Sequence, residues 1–117
     1  MKESLKKYLE YWDSDDNFFV LMRMKGFVWL DDEYLYMLNL IRTVLNDYKE
    51  DYLIPKQLVY FFCMQIPLLV RTMENPLFYI NPPAPYTDEE YKIFIGSRIK
   101  ELVAMEENFI RENYDKI

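Results

Sequence analysis

The stretch DDEYLYMLNLIRTVLNDYKE, residues 31–50, decides the fold class. Tyr34, Leu38, Ile41, Leu45 and Tyr48 recur at steps of three and four, and Leu35, Met37 and Val44 widen the same side. That spacing aligns side chains along one face of a helix, whereas a strand would alternate at every second residue. The other side reads Asp32, Tyr36, Asn39, Thr43, Asn46 and Glu50, polar apart from one tyrosine ring. A half-buried helix over about 32–50 is therefore expected. Asp31 stands at its start, Leu30 and Leu35 fit a hydrophobic staple, and Asp32 and Glu33 suit the positive end of the helix dipole.

Toward the N-terminus, Leu5, Tyr8, Leu9 and Trp12 place a first helix over about 4–12. Asp13-Ser14-Asp15-Asp16-Asn17 then breaks the pattern and offers several side chains able to cap the next helix. Residues 17–30 admit two readings. Phe18 to Met24 can form a short helix ended by a left-handed Gly26, or Phe18–Met22 and Phe27–Leu30 can pair as a hairpin around Lys25-Gly26. The missing two-residue turn signal favours the helix. The run Leu21-Met22-Arg23-Met24 reads as an adaptable patch or as core filler.

Toward the C-terminus, Pro55 suits a first helical turn, and Lys56 to Glu74 continues as helix with Pro67 inside it. A proline ring clashes with the carbonyl four residues back, here Cys63, so a kink or break is expected there. Leu58 to Val70 is apolar on every side apart from Gln65, which predicts a central buried helix over 55–74. Residues 75–86 hold Pro76, Pro82, Pro83 and Pro85, a density read as a loop without regular structure. A last helix opens at Thr87, with Glu90 at the position a capping box requires. Its inward stripe is Tyr91, Ile95, Ile99, Leu102, Met105 and Phe109, and Gly96 within it suggests a close approach of a neighbouring helix. The expected fold is all-α: a single domain, residues 1–117, with about five helices in an irregular bundle around the helix at 55–74, and a Pro-rich loop at 75–86.

Composition narrows the chemistry. The chain has no histidine and two glycines. Triads and Glu-x-x-His metal sites built on histidine are excluded within it, and so is a glycine-rich phosphate loop. The string at 13–17 begins like a calcium loop, but the positions that need glycine and glutamate hold Phe18 and Met24. No metal or cofactor site is expected. Cys63 sits among Phe61, Phe62 and Met64, which predicts an inert buried thiol. The acid–base candidates are Asp31-Asp32-Glu33, Asp47 with Glu50-Asp51, and Glu106-Glu107; all fall on outer faces or helix ends, where solvated charge is the ordinary explanation.

The formal charge is −6, and it is uneven. Residues 31–51 and 87–117 carry the acidic excess, while Tyr52 to Tyr86 holds only Lys56, Arg71 and Glu74 as charged groups. Nucleic-acid binding draws on clustered Lys and Arg, and only Lys6-Lys7 approaches a cluster. The longest apolar run is too short to span a bilayer, and no secretory leader is evident; a cytoplasmic protein is expected.

Two surfaces are candidates for partner binding. On the third helix, Tyr36 sits among Asp32, Asn39, Asn46, Asp47 and Glu50, an aromatic anchor ringed by carboxylates that suits a basic protein surface. In the proline segment, Phe78, Tyr79, Ile80 and Tyr86 either form a stiff recognition loop or fold back over the core. A small acidic helical domain without an active site is similar in kind to the immunity proteins of bacterial toxin systems, which cover a basic toxin such as a nuclease. The likeness is one of size, charge and missing chemistry over the whole chain, and no residue motif carries it. It implies a protein-binding inhibitor with no enzymatic activity. The alternatives are an adaptor or scaffold subunit, including a homodimer, and then a carboxylate-based enzyme.

Overall fold

The computed structural model describes residues 1–80 and 82–116, and no strand occurs among them. The helices are α1 (Glu3–Asp13), α2 (Phe18–Met24), α3 (Asp31–Tyr48), α4 (Lys56–Tyr60), α5 (Ile66–Glu74) and α6 (Asp88–Asn113). The protein is all-α, as the periodicity predicts. The chain divides into two units, Met1–Asp51 and Tyr52–Ile117.

In the first unit, α1 and α2 both pack on α3. Of the capping candidates between α1 and α2, Asn17 takes the role. Its Oδ1 accepts the Val20 N–H at 3.0 Å, and its Nδ2 donates to the carbonyls of Trp12 and Ser14 at 3.0 and 3.1 Å. Asn17 is buried, and these bonds offset the cost of taking its amide out of water. The segment after it is helical, so the hairpin alternative does not form. Its end closes back on its own last turn, with Phe27 N–H donating to the Met22 carbonyl at 2.8 Å and Gly26 N–H to that of Arg23 at 3.2 Å. This Schellman closure needs left-handed backbone, found at Gly26 (φ 77°) and also at Phe27 (φ 64°). Of the Met pair in α2, Met22 is buried and Met24 exposed.

The start of α3 differs from expectation. Leu30 is the capping residue, Leu35 is 43% exposed and forms no staple, and the Asp31 carboxylate accepts the indole N–H of Trp29 at 2.9 Å. Trp29 is itself buried against Phe18 and Tyr34, so Asp31 serves the ring's polar edge. Tyr34, Met37, Leu38, Ile41 and Val44 of the inward stripe are buried, Leu45 and Tyr48 are half-buried, and Leu35 is exposed.

In the second unit, the chain from Lys56 to Glu74 stays right-handed helical throughout but widens over Phe61–Gln65 into a π-helical turn. The Ile66 N–H donates to the Phe61 carbonyl, five residues back. This is where Pro67 predicts a disturbance: the wide turn relieves the clash with the Cys63 carbonyl without ending the helix. Leu58, Phe61, Phe62, Ile66, Leu69 and Met73 are buried, but Tyr60, Met64 and Leu68 are exposed, so burial is not all-round. Phe62 stacks on Phe109 of α6 at 4.3 Å, and α5 packs along α6.

The proline segment is not wholly irregular. Pro76–Tyr79 forms one 3-10 turn, capped by Asn75 Oδ1 accepting the Leu77 N–H at 2.9 Å. Proline at the first position of a turn lacks only a donor that would have had no partner there. The α6 capping box forms as predicted: Thr87 Oγ1 accepts the Glu90 N–H at 3.2 Å, and Glu90 Oε1 accepts the Thr87 N–H at 3.0 Å. Tyr91, Ile95, Leu102 and Phe109 are buried, with Ile99 and Met105 half-buried beside them. The close approach expected at Gly96 is absent: a Cβ there would meet nothing within 4 Å among the described residues.

The two glycines should therefore respond oppositely to alanine. In urea unfolding at low protein concentration, Gly26→Ala should lose about 1–2 kcal/mol because a Cβ disfavours left-handed backbone, while Gly96→Ala should gain about 0.5–1 kcal/mol of helix propensity. The capping box adds a pH dependence. The hydrogen bonds from the Thr87 backbone and then its side chain hold the Glu90 carboxyl below its usual value of 4.5. A depressed carboxyl pKa stabilises above the unfolded value and ceases to do so as pH falls through the folded one. A carbon-13 titration of Glu90 should show a midpoint below 4.5, with the Thr87 amide losing exchange protection as pH crosses it.

Candidate functional site

α3 turns its inner side into the first unit, which leaves its other side free along about 27 Å of helix. Asp32, Tyr36, Asn39, Asn46 and Asp47 are all exposed on it, and Glu50 is exposed just beyond its last turn. The six residues expected on this face are therefore brought together by the helix itself. Three carboxylates, two amides and one ring share a strip whose Thr43 hydroxyl is turned back onto the Asn39 carbonyl at 2.9 Å.

The Tyr36 ring, 55% exposed, does not stand alone. It leans on Tyr11 of α1, with centroids 5.6 Å apart and planes tilted by 54°. Tyr11 is fixed in turn: its hydroxyl donates to Glu33 Oε1 at 3.0 Å and accepts the Phe18 N–H at 2.7 Å. Burial, ahead of any other cause, raises the Tyr11 phenol above its ordinary pKa, so the hydroxyl stays protonated and able to donate. An aromatic anchor held this way loses less freedom when a partner covers it.

At the far end of the strip, Lys2 meets α3. Its ammonium lies 3.2 Å from Asp51 Oδ2 and 4.5 Å from the centre of the Tyr48 ring, and it also donates to the Asp47 carbonyl. Cations are favoured at a helix C-terminus, and here one also neutralises Asp51. The carboxylates of Asp32, Asp47 and Glu50 remain outward. Neither Tyr11 nor Lys2 was found from the sequence. Lys2 is 45 residues from Asp47 in the chain, and no local pattern reports such a contact. Tyr11 lies three residues after the buried Tyr8, which marks it as a neighbour of the inward stripe but says nothing of α3.

The second candidate surface is different. Phe78 is only 5% exposed, and Tyr79 and Tyr86 are half-buried. Phe78 stacks parallel to Tyr91 at 6.0 Å, Tyr79 meets Tyr91 edge-on at 5.9 Å, and Tyr86 stacks on Phe94 at 5.3 Å. These rings lie back on α6, while Leu77 and Ile80 are the large apolar side chains exposed among the segment's described residues. Burial, and then the nearby Glu74, raise the Tyr79 phenol, in keeping with a ring packed inward.

All twenty Asp and Glu side chains are exposed or half-buried. No group of three candidate metal ligands occurs among the described residues. Cys63 is half-buried, and burial followed by Glu106 raises its thiol, the reverse of what a nucleophile needs. No described helix is long and apolar enough to cross a membrane. No protein-family model, curated protein or solved structure matches the chain.

Replacing Tyr11 with Phe removes the bracing hydroxyl and strands the N–H of buried Phe18. Tyr11→Phe should destabilise the protein by about 1–3 kcal/mol, read by urea unfolding, and should broaden the Tyr36 ring resonances as that ring loses its fixed neighbour.

Proposed function

We propose that the chain is a non-enzymatic protein-binding protein whose α3 face covers a basic surface on another protein. The observation that supports this is the braced Tyr36 ring set among outward Asp32, Asp47 and Glu50. An aromatic ring supplies area and contact energy in the middle of an interface, and carboxylates around it supply register and steering toward positive charge. Asn39 and Asn46 add donors and acceptors without a charge to desolvate. The net charge of −6 extends the attraction beyond the strip. Inhibition by occlusion is the role that fits, as in the immunity proteins that cover a toxin nuclease. Such a role needs a surface and no reacting group.

A second reading, an adaptor or scaffold subunit, is favoured by the exposed row Tyr60, Met64 and Leu68 in the second unit. Contiguous apolar surface marks a place of association, and association through it would depend little on salt.

The two readings separate in an affinity capture from the native host with wild-type protein and an Asp32→Lys/Glu50→Lys variant. The neutraliser reading expects one basic protein in near-equal amount, captured more slowly as salt rises and lost from the variant. Retention of the same partners by wild type and variant, indifferent to salt, overturns it in favour of the scaffold.

A further inference from the structure

The outer side of α6 carries a row that none of the described residues of its own unit buries. Ile93, Gly96, Lys100, Val103, Glu107, Ile110 and then Tyr114, in the turn Tyr114–Lys116, succeed one another at steps of three and four. This is the side away from buried Tyr91, Ile95, Leu102 and Phe109. Ile93 is 69% and Tyr114 79% exposed, and Val103 and Ile110 are also exposed. Gly96 sits among them with open space where its Cβ would stand. A glycine inside a helix costs about 1 kcal/mol relative to alanine, and no neighbour among the described residues requires one here.

Neither charge on the row has an ion pair among the described residues. Lys100 has Gly96, Ser97, Val103 and Ala104 at helical contact spacing, none of them acidic. Glu107 has one basic neighbour at that spacing, Arg111, which donates instead to Asn108. Lys100 and Glu107 are themselves two turns apart, about 10 Å along the axis, too far to pair with each other.

We propose that α6 pairs with α6 of a second copy of this chain, antiparallel and two-fold symmetric about an axis beside Val103. In such a pair each residue before the axis faces one at the same distance beyond it to within a residue, and every contact away from the axis occurs twice. Lys100 then faces Glu107 of the other copy, and the two unmatched charges neutralise each other. Gly96 faces Ile110, whose branched side chain fills the recess. Ile93 faces Tyr114, and Val103 meets its own counterpart. The charges select the direction, since a parallel pair would set Lys100 on Lys100 and Glu107 on Glu107. The row is thus complementary to itself, and this surface is distinct in residues and chemistry from the α3 face.

The test is sedimentation equilibrium of the full chain across a wide concentration range. The wild type should rise from 14.4 kDa toward twice that value and no further. Lys100→Glu and Glu107→Lys each put like charges face to face and should weaken the dimer at least about tenfold, while the double exchange should restore it. Both residues are exposed, so the variants keep the fold, which circular dichroism checks. A mass fixed at 14.4 kDa, growth beyond a dimer, or association that ignores both single exchanges overturns the proposal.

Discussion

Pro67 lies inside a helical run and has no N–H to give, while its ring presses on the carbonyl of Cys63. The second unit is arranged around that constraint. The chain widens over Phe61–Gln65, keeps its hand, and resumes as α5. In uninterrupted α geometry, residues four apart drift around the helix by about 40° at each step. The wide turn takes up part of that drift, so Leu58, Phe62 and Ile66 stay on one buried line and Tyr60, Met64 and Leu68 on one exposed line. Phe62 can then stack on Phe109, and α5 packs along α6, the longest of the described helices.

The first unit depends on polar atoms to a degree its composition does not suggest. A chain that must turn between α1 and α2 leaves the first N–H groups of α2 without intrahelical partners. Asn17 takes one and the Tyr11 hydroxyl takes another, and both side chains also hold a second element: the end of α1 for Asn17, Glu33 of α3 for Tyr11. Each is a junction where helix capping and helix packing are satisfied by the same atoms. The position of the Tyr36 ring is a consequence, because Tyr11 must lie where both Phe18 and Glu33 can reach it.

Elements whose signal is periodic were legible in the sequence. The α3 stripe, the α6 stripe, its capping box, and the six outward residues of α3 all derive from spacing along one helix. The features that were not legible depend on a choice between equivalent chemistries or on residues far apart in the chain. Asp31 stands in the first turn of α3 and also accepts the indole N–H of buried Trp29, a bond that helical spacing does not report. Leu30 and Leu35 fit a staple in spacing, yet Leu35 points to solvent. The aromatics of the proline segment allowed a recognition loop or a cover. The structure lays Phe78 buried and Tyr79 and Tyr86 half-buried against Tyr91 and Phe94 of α6, contacts that no spacing within the segment reports. Pro67 showed where the helix would be disturbed, but not that it would widen in place of breaking.

The α3 face and the α6 row also differ in the kind of force each can use. On α3, the outward groups are carboxylates and amides around one ring, and attraction to a cation across such a face weakens over the Debye length as salt rises. On α6, the exposed side chains are mostly apolar, with a single charge of each sign, so salt can weaken only the charged contacts while the apolar ones persist. The acidic face also disfavours self-association, since a second copy would bring carboxylates against carboxylates. The α6 row lacks that penalty because its own charges are matched when reversed. A chain of net charge −6 is pushed apart from its copies at long range, and any self-contact has to occur where the local charge cancels. Among the helical faces described, the α6 row meets that condition, whereas the α3 face meets the opposite one and suits a partner of opposite charge.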